Sequence, residues 1–180
     1  MDVAYFGKGI VGAICRGILE EMLEVHVLGP ADYHKADIWL SVHWDKIWRM
    51  EQLMTPRIGC VNLHNSFLPW NRGAHACTWA IVDDTPAGAT MHWMDEGIDT
   101  GDILYQEAID IGADETADQL YKRTAEVEVE VFKVGMGMLV ARNYRRIPQH
   151  QTGTIHYKKD FDRLARAMTT SDCKVIRAKA

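Results

Sequence analysis

The chain has 180 residues, 47% of them apolar, and a formal net charge of −5. That is enough for one globular domain with a short appendage, and the acidic balance excludes a basic nucleic-acid surface. No run of about 18 apolar residues occurs, so no membrane-spanning helix is expected. The opening MDVAYFGKG lacks the basic and apolar regions of a signal peptide, which points to a cytoplasmic protein. Cys15, Cys60, Cys77 and Cys173 have neither metal nor redox spacing and read as buried free thiols. The histidines form no H-E-x-x-H or comparable cluster, so no metal site is expected.

Asp2 to Phe6 reads as a strand running into Gly7-Lys8-Gly9-Ile10-Val11-Gly12 and a helix to about Met22. This is G-x-G-x-x-G between a strand and a helix, where glycines permit a tight turn and bring amides near a phosphate. Alone it admits three readings: a substrate phosphate or sugar contact at Gly9, plain helix–strand packing, or NAD binding with Asp32 as the ribose acid. Glu24 to Leu28 and Asp37 to His43 read as further strands, separated by Gly29-Pro30 and a short polar stretch. Asp45 to Met54 reads as a helix with Ile47, Met50 and Met54 on one face.

Ile58 to Leu63 is an apolar run expected to form a buried strand. Asn62, His64 and Ser66 follow at alternate positions, so Asn62 and His64 face one cavity at its end. Pro69, Asn71 and Gly73 then break into a loop. Gly88 to Met94 reads as a strand leading into the acidic loop from Asp95 to Asp102, which can present Asp99 opposite the first strand. An amide holds a developing oxyanion, an imidazole moves a proton near neutrality, and a carboxylate orients the imidazole or receives a proton through water. No activated nucleophile is evident, which favours direct attack by an amine over a covalent intermediate.

Gly101 to Ile111 reads as extended, and Asp114-Glu115-Thr116 as the start of a long helix. The EVEVEV run from Glu126 to Val131 alternates like a strand. Ala117, Leu120, Thr124, Val127, Val131, Val134 and Met138 recur at three and four, and this longer pattern predicts a helix. Asp160 to Met168 reads as a second helix, and the last ten residues as a frayed end.

Asn62-x-His64-x-Ser66, then Leu68-Pro69 and Arg72-Gly73, then His92 with Asp99 seven residues on, closely resembles the formyltransferases that use 10-formyltetrahydrofolate. The wording LPWNRG and WAIVDDTPAGATMHWMDEGIDTGDIL is most similar to the sugar N-formyltransferases, which formylate a nucleotide-linked amino sugar, typically a dTDP-linked 3- or 4-amino-dideoxyhexose. The resemblance is dense over about 45 residues. It implies an α/β fold: a Rossmann-like, mostly parallel sheet with flanking helices. It also implies a catalytic domain over 1–145 and a helical and hairpin appendage over 146–180 in dimer contact. Further implied are catalytic Asn62, His64 and Asp99, and a folate site over Lys46, Ile47, Trp48, Leu53, Asp95 and Asp99. Gly9, Asn71 and Arg72 stand as acceptor contacts, and the partners are folate and a nucleotide-linked amino sugar, in a homodimer. Only about eight residues separate the strands ending at Leu28 and starting at Asp37, where such enzymes have one more strand–helix unit. Rival readings are formylation of glycinamide ribonucleotide or methionyl-tRNA, a shortened inactive binding protein, and an NAD-dependent oxidoreductase.

Overall fold

A computed structural model describes residues 1–149 and 152–167. Its centre is a six-stranded sheet of β1 (Asp2–Gly7), β2 (His26–Val27), β3 (Ile38–Val42), β4 (Gly59–His64), β6 (Ala87–Trp93) and β7 (Ile103–Ile109). Its order is β2-β1-β3-β4-β6-β7. The first four strands run parallel; β6 and β7 join antiparallel. The Rossmann-like, mostly parallel sheet expected from the sequence is therefore present. Two short strands, β5 (Arg72–Gly73) and β8 (Ile155–His156), pair parallel beside it.

Alternation along the strands assigns the two faces. Val3 and Tyr5, Ile38, Leu40 and Val42, Val61 and Leu63, and Ala89, Met91 and Trp93 share one core cluster. Onto that face pack α1 (Gly9–Glu21) and α4 (Ala117–Val140). Fully buried Phe132 and Met136 each contribute about 1.5–3 kcal/mol there. The intervening positions, Asn62 on β4 and its register partner His92 on β6, point to the opposite face. That face places polar side chains at the carboxyl ends of the parallel strands, next to the change from parallel to antiparallel pairing.

Helix α4 resolves the conflict between the two periods in favour of three and four, because a 24-residue segment reaches the core only along a helical stripe. Thr116 caps it, exchanging bonds with Gln119. The stripe turns in its second half: Val134 is exposed, and Glu128, Phe132, Gly135, Met136 and Leu139 face inward. The 3.6-residue repeat drifts against a fixed alternation of three and four.

The expected helix from Asp45 to Met54 shrinks to α2 (Met50–Leu53). Trp48 instead inserts among aromatic rings, with its centroid 4.9 Å from Phe6 and 5.4 Å from Trp39. This pulls 44–49 out of helical geometry, leaving Ile47 82% and Met54 74% exposed. Strand β2 has two residues, against the five expected, and Pro30–Lys35 forms a 3-10 helix linking it towards β3. The second late helix is α5 (Lys158–Ala167), within the C-terminal appendage that also carries β8. The last-ten-residue expectation and Cys173 lie outside the described residues. Cys15, Cys60 and Cys77 are buried and free, and burial raises their thiols to about 12, 12 and 11.

Candidate active site

Side chains from β4, β6 and the loop after β6 meet at the end of β4. Asn62 Nδ2 donates to His92 Nε2 at 3.2 Å, and reaches Asp99 Oδ1 only at 3.5 Å. The second contact is long for a hydrogen bond, so that N–H is free to turn to an incoming oxygen. Asp99 Oδ2 lies 3.6 Å from His64 Nε2, and Oδ1 lies 3.4 Å from His92 Nε2. The backbone N–H of Gly73 donates to Asp99 Oδ2 at 2.8 Å.

Carbonyl partners fix the ring tautomers. His92 Nδ1 is 2.8 Å from Trp93 O, and His64 Nε2 is 3.1 Å from Asn71 O. A carbonyl only accepts, so each of those nitrogens carries a proton. In the neutral ring His92 Nε2 is the acceptor for Asn62, and in the protonated ring it is the donor to Asp99. Burial pushes the Asp99 carboxyl upward, but a protonated His64, the His92 contact and the Gly73 N–H outweigh it. They hold Asp99 well below the usual carboxylate range. It stays ionised.

Asp99 itself has a φ of 52° and Gly73 a φ of 89°. A Cβ on Gly73 would meet the His156 carbonyl oxygen at 2.2 Å. Only glycine therefore lets β5 pair with β8 and still offer its N–H to Asp99. Gln149 braces the loop from outside, donating to Asp99 O at 3.0 Å and Gly101 O at 2.7 Å.

The trio lies where two cavities join. One, about 260 Å³, is lined by His43, His64 and Asn65. The other, about 420 Å³, is lined by Lys46, Ile47, Trp48, Met94, Asp95 and Ile98 and is closed by His156, Tyr157 and Lys158. Trp44, Asn62, Gly73 and Asp99 line both. A third cavity of about 440 Å³ lies over Gly7, Lys8, Gly9 and Arg16, and Trp44 lines this one as well.

Of the folate residues named from the sequence, Lys46, Ile47, Trp48, Asp95 and Asp99 border the larger central cavity. Leu53 does not; its carbonyl accepts from the Cys60 thiol at 3.7 Å. Gly9 borders the third cavity. Asn71 is buried and fully engaged: Nδ2 donates to Thr85, while Oδ1 and the backbone N–H bond Thr154. Arg72 donates through Nε and Nη2 to Gln149 Oε1 at 3.1 and 2.7 Å and so braces the loop indirectly. Asp32 is ion-paired to Lys35 and does not line the cavity over Gly7–Gly9. His43, Trp44, Glu128 and Gln149 escape sequence reading. Glu128 sits inside the EVEVEV alternation, and Gln149 lies 50 residues from the loop it braces. Among the described residues there is no metal-ligating cluster and no helix long and apolar enough to cross a membrane.

A Rossmann-like sheet thus places an amide, an imidazole and a carboxylate beside two cavities. The sequence model described as Formyl transferase matches residues 21–134, and the chain belongs to that family. A methionyl-tRNA formyltransferase of Alkaliphilus oremlandii is 32% identical over 130 residues, 72% of this chain and 42% of the relative. One from Halorhodospira halophila is 35% identical over 141 residues, 78% of this chain and 44% of the relative. The chain thus spans under half the length of these curated relatives. A sugar N-formyltransferase structure from a Shewanella species superposes with a TM-score of 0.83 at 22% identity, covering 99% of this chain and 87% of that one. PseJ from Anoxybacillus kamchatkensis, in complex with UDP-4,6-dideoxy-4-formamido-L-AltNAc and tetrahydrofolate, gives 0.83 at 25% identity, covering 99% and 97%.

Proposed function

We propose that this protein transfers a formyl group from 10-formyltetrahydrofolate to the amino group of a nucleotide-linked amino sugar. The observation that carries this reading is the meeting of Asn62, His64 and Asp99 at the join of two cavities, one flat-walled and one polar. The larger cavity suits a pterin: it falls within the ~300–1,000 Å³ of small-molecule sites and presents Trp44, Ile47 and Trp48 beside the 95–99 loop. The folate supplies an activated formyl carbon. Asn62 directs an N–H to the formyl oxygen as negative charge builds there, and a protonated His64 donates to the same oxygen. Asp99 holds both imidazoles in register.

The acceptor reading draws on the third cavity, where Lys8, Arg16, the N-terminus of α1 and the rings of Tyr5, Phe6 and Tyr33 suit a nucleotide diphosphate. Trp44 connects it to the reacting centre. The Shewanella sugar N-formyltransferase and PseJ superpose at a TM-score of 0.83, against 0.72 for a solved methionyl-tRNA formyltransferase, which supports this acceptor class. A methionyl-tRNA acceptor is the second reading, favoured by the names of the curated relatives and disfavoured by the acidic balance. We further propose catalytic machinery over 1–145, an appendage over 146–180 in dimer contact, of which His156, Tyr157 and Lys158 line the larger cavity, a homodimer and a cytoplasmic setting. The intact trio speaks against an inactive binding protein.

The test is to incubate the protein with 10-formyltetrahydrofolate and a panel of dTDP- and UDP-linked amino sugars, glycinamide ribonucleotide and methionyl-tRNA, and to weigh the products. Gain of one formyl unit on an amino sugar supports the reading; formylation of tRNA or ribonucleotide alone replaces it.

A further inference from the structure

The pairing of β5 with β8 is too short to hold itself. Arg72 donates to Thr154 O at 3.0 Å and Ala74 donates to His156 O at 2.9 Å. A two-stranded pair of this kind is marginal without side-chain packing. Yet it fixes Gly73, the register partner of His156, and Gly73 supplies the 2.8 Å backbone donor to Asp99 Oδ2. That bond is the shortest contact Asp99 makes with the site. Asn62, His64 and His92 stand at 3.5, 3.6 and 3.4 Å. The place of the Asp99 carboxylate is therefore set by Gly73 more than by the side chains around it.

Two ring stacks fasten the short pair to α3 (Ala76–Val82). The His156 ring lies flat on Trp79, with centroids 4.0 Å apart and planes 6° from parallel. Phe161 of α5 stacks in the same way on His75, the residue that caps α3, at 4.0 Å and 15°. Trp79 is buried, as are Ala76, Cys77, Thr78 and Ala80, and α3 packs on α4 and β6. The stack thus reaches a firmly seated element. Asp83, just past α3, comes within 3.0 Å of His156 Nε2 but without hydrogen-bond geometry, so the stack and not this contact holds the ring.

We infer that Trp79 and His156 are positioning residues for formyl transfer: their stack sets where the Gly73 N–H stands and, through it, where the Asp99 carboxylate stands. This rests on the formyl-transfer reading and adds two residues to it. The contacts run without a gap. The Trp79 ring holds the His156 ring, the His156 carbonyl holds the Ala74 N–H, and the preceding residue, Gly73, holds Asp99. A displacement of about 1 Å at such a group can cost up to about 10² in rate. His156 also lines the larger central cavity, so it alone could act as a wall. Trp79 lines none of the three cavities, and any effect it has on turnover travels through the stack.

The test is steady-state formyl transfer by the full chain, with the amine identified from the acceptor panel, for wild type, His156→Leu, Trp79→Leu and Trp79→Phe. Amide NMR of Gly73 is recorded on each. Leu fills space but removes the flat ring, and Phe leaves a ring under His156. Both Leu variants are expected to lose about tenfold in kcat at saturating folate and to move the Gly73 amide resonance. Trp79→Phe is expected to stay within about twofold of wild type, with the resonance in place. His156 lies outside the hydrophobic core, so its variant keeps the test open where Trp79→Leu does not fold.

Folded Leu variants with wild-type kcat and an unmoved Gly73 resonance overturn this role and leave the formyl-transfer reading standing. A lower melting temperature with unchanged kcat, or a raised folate KM alone, overturns it too, since the first is mere stability and the second a cavity wall. A wild type that formylates no amine overturns the underlying reading and this role with it, even where the Gly73 resonance still follows the stack.

Discussion

One small cavity is bordered by two imidazole–carboxylate clusters that are built in opposite ways. Asp99 is crowded with partners: the Gly73 N–H, the Asn62 amide and two histidines. Glu128 has one partner and one bare oxygen, on the far side of the sheet from Asp99. The crowded carboxylate is held down and stays ionised, so its value is geometric: it fixes rings and a loop. The sparsely bonded one holds its imidazole through a single contact. Proximity to a histidine does not by itself assign a carboxylate's role; the number of its competing donors does.

Breaking the crowded cluster is expected to have the largest effect. Asp99→Asn removes the charge that holds His64 and His92 while nearly preserving shape. We expect a loss of about 10²–10⁴ in kcat, with a smaller change in folate affinity. Steady-state kinetics and a folate-binding titration check the split, and wild-type turnover would remove the assignment. Because Asp99 is depressed, its stabilisation is complete above its ordinary value near 3.8 and is lost only as pH falls through its much lower folded value.

A gentler disturbance of the same cluster is Gln149→Ala. It removes two bonds to the loop carbonyls and the anchor of Arg72. Loss of orientation alone should slow transfer about tenfold, near 1.4 kcal/mol, with little change in melting temperature. An unchanged rate would mean that the loop holds Asp99 without this brace.

The smallest expected signal sharpens the other side of the comparison. His43 is raised by Glu128, so their pair stabilises the fold fully below the ordinary histidine value near 6.5 and loses that contribution as pH rises through the folded value. Thermal melts of wild type and Glu128→Gln should differ most in mild acid and converge at alkaline pH. A gap independent of pH would show that packing, not the charge pair, sets it.

The two clusters also differ in how legible they were. The Asp99 cluster could be read because Asn62 and His64 alternate on one strand and Asp99 follows a recognisable spacing. Local patterns of that kind survive in one dimension. The His43–Glu128 pair joins residues 85 apart, one at the end of an apolar strand and one inside a run that alternates like a strand. The mostly parallel sheet followed only from the resemblance, and its strand order comes from the structure. The main strands and α4 were legible from periodicity. The 45–54 helix was not, because its fate was decided by Trp48 finding Phe6 and Trp39, a tertiary contact that outweighs local preference. Asn71 stood as an acceptor contact on the resemblance alone; its bonds to Thr85 and Thr154, which no local pattern announces, hold its loop in place.

The most direct test of the central claim is a single-turnover transfer of isotopically labelled formyl from 10-formyltetrahydrofolate to the acceptor amine, by wild type and Asn62→Ala side by side. The account predicts label on the wild-type product and a rate lower by about 10²–10³ in the variant, with an unchanged circular dichroism spectrum. Label appearing equally fast in both would contradict it.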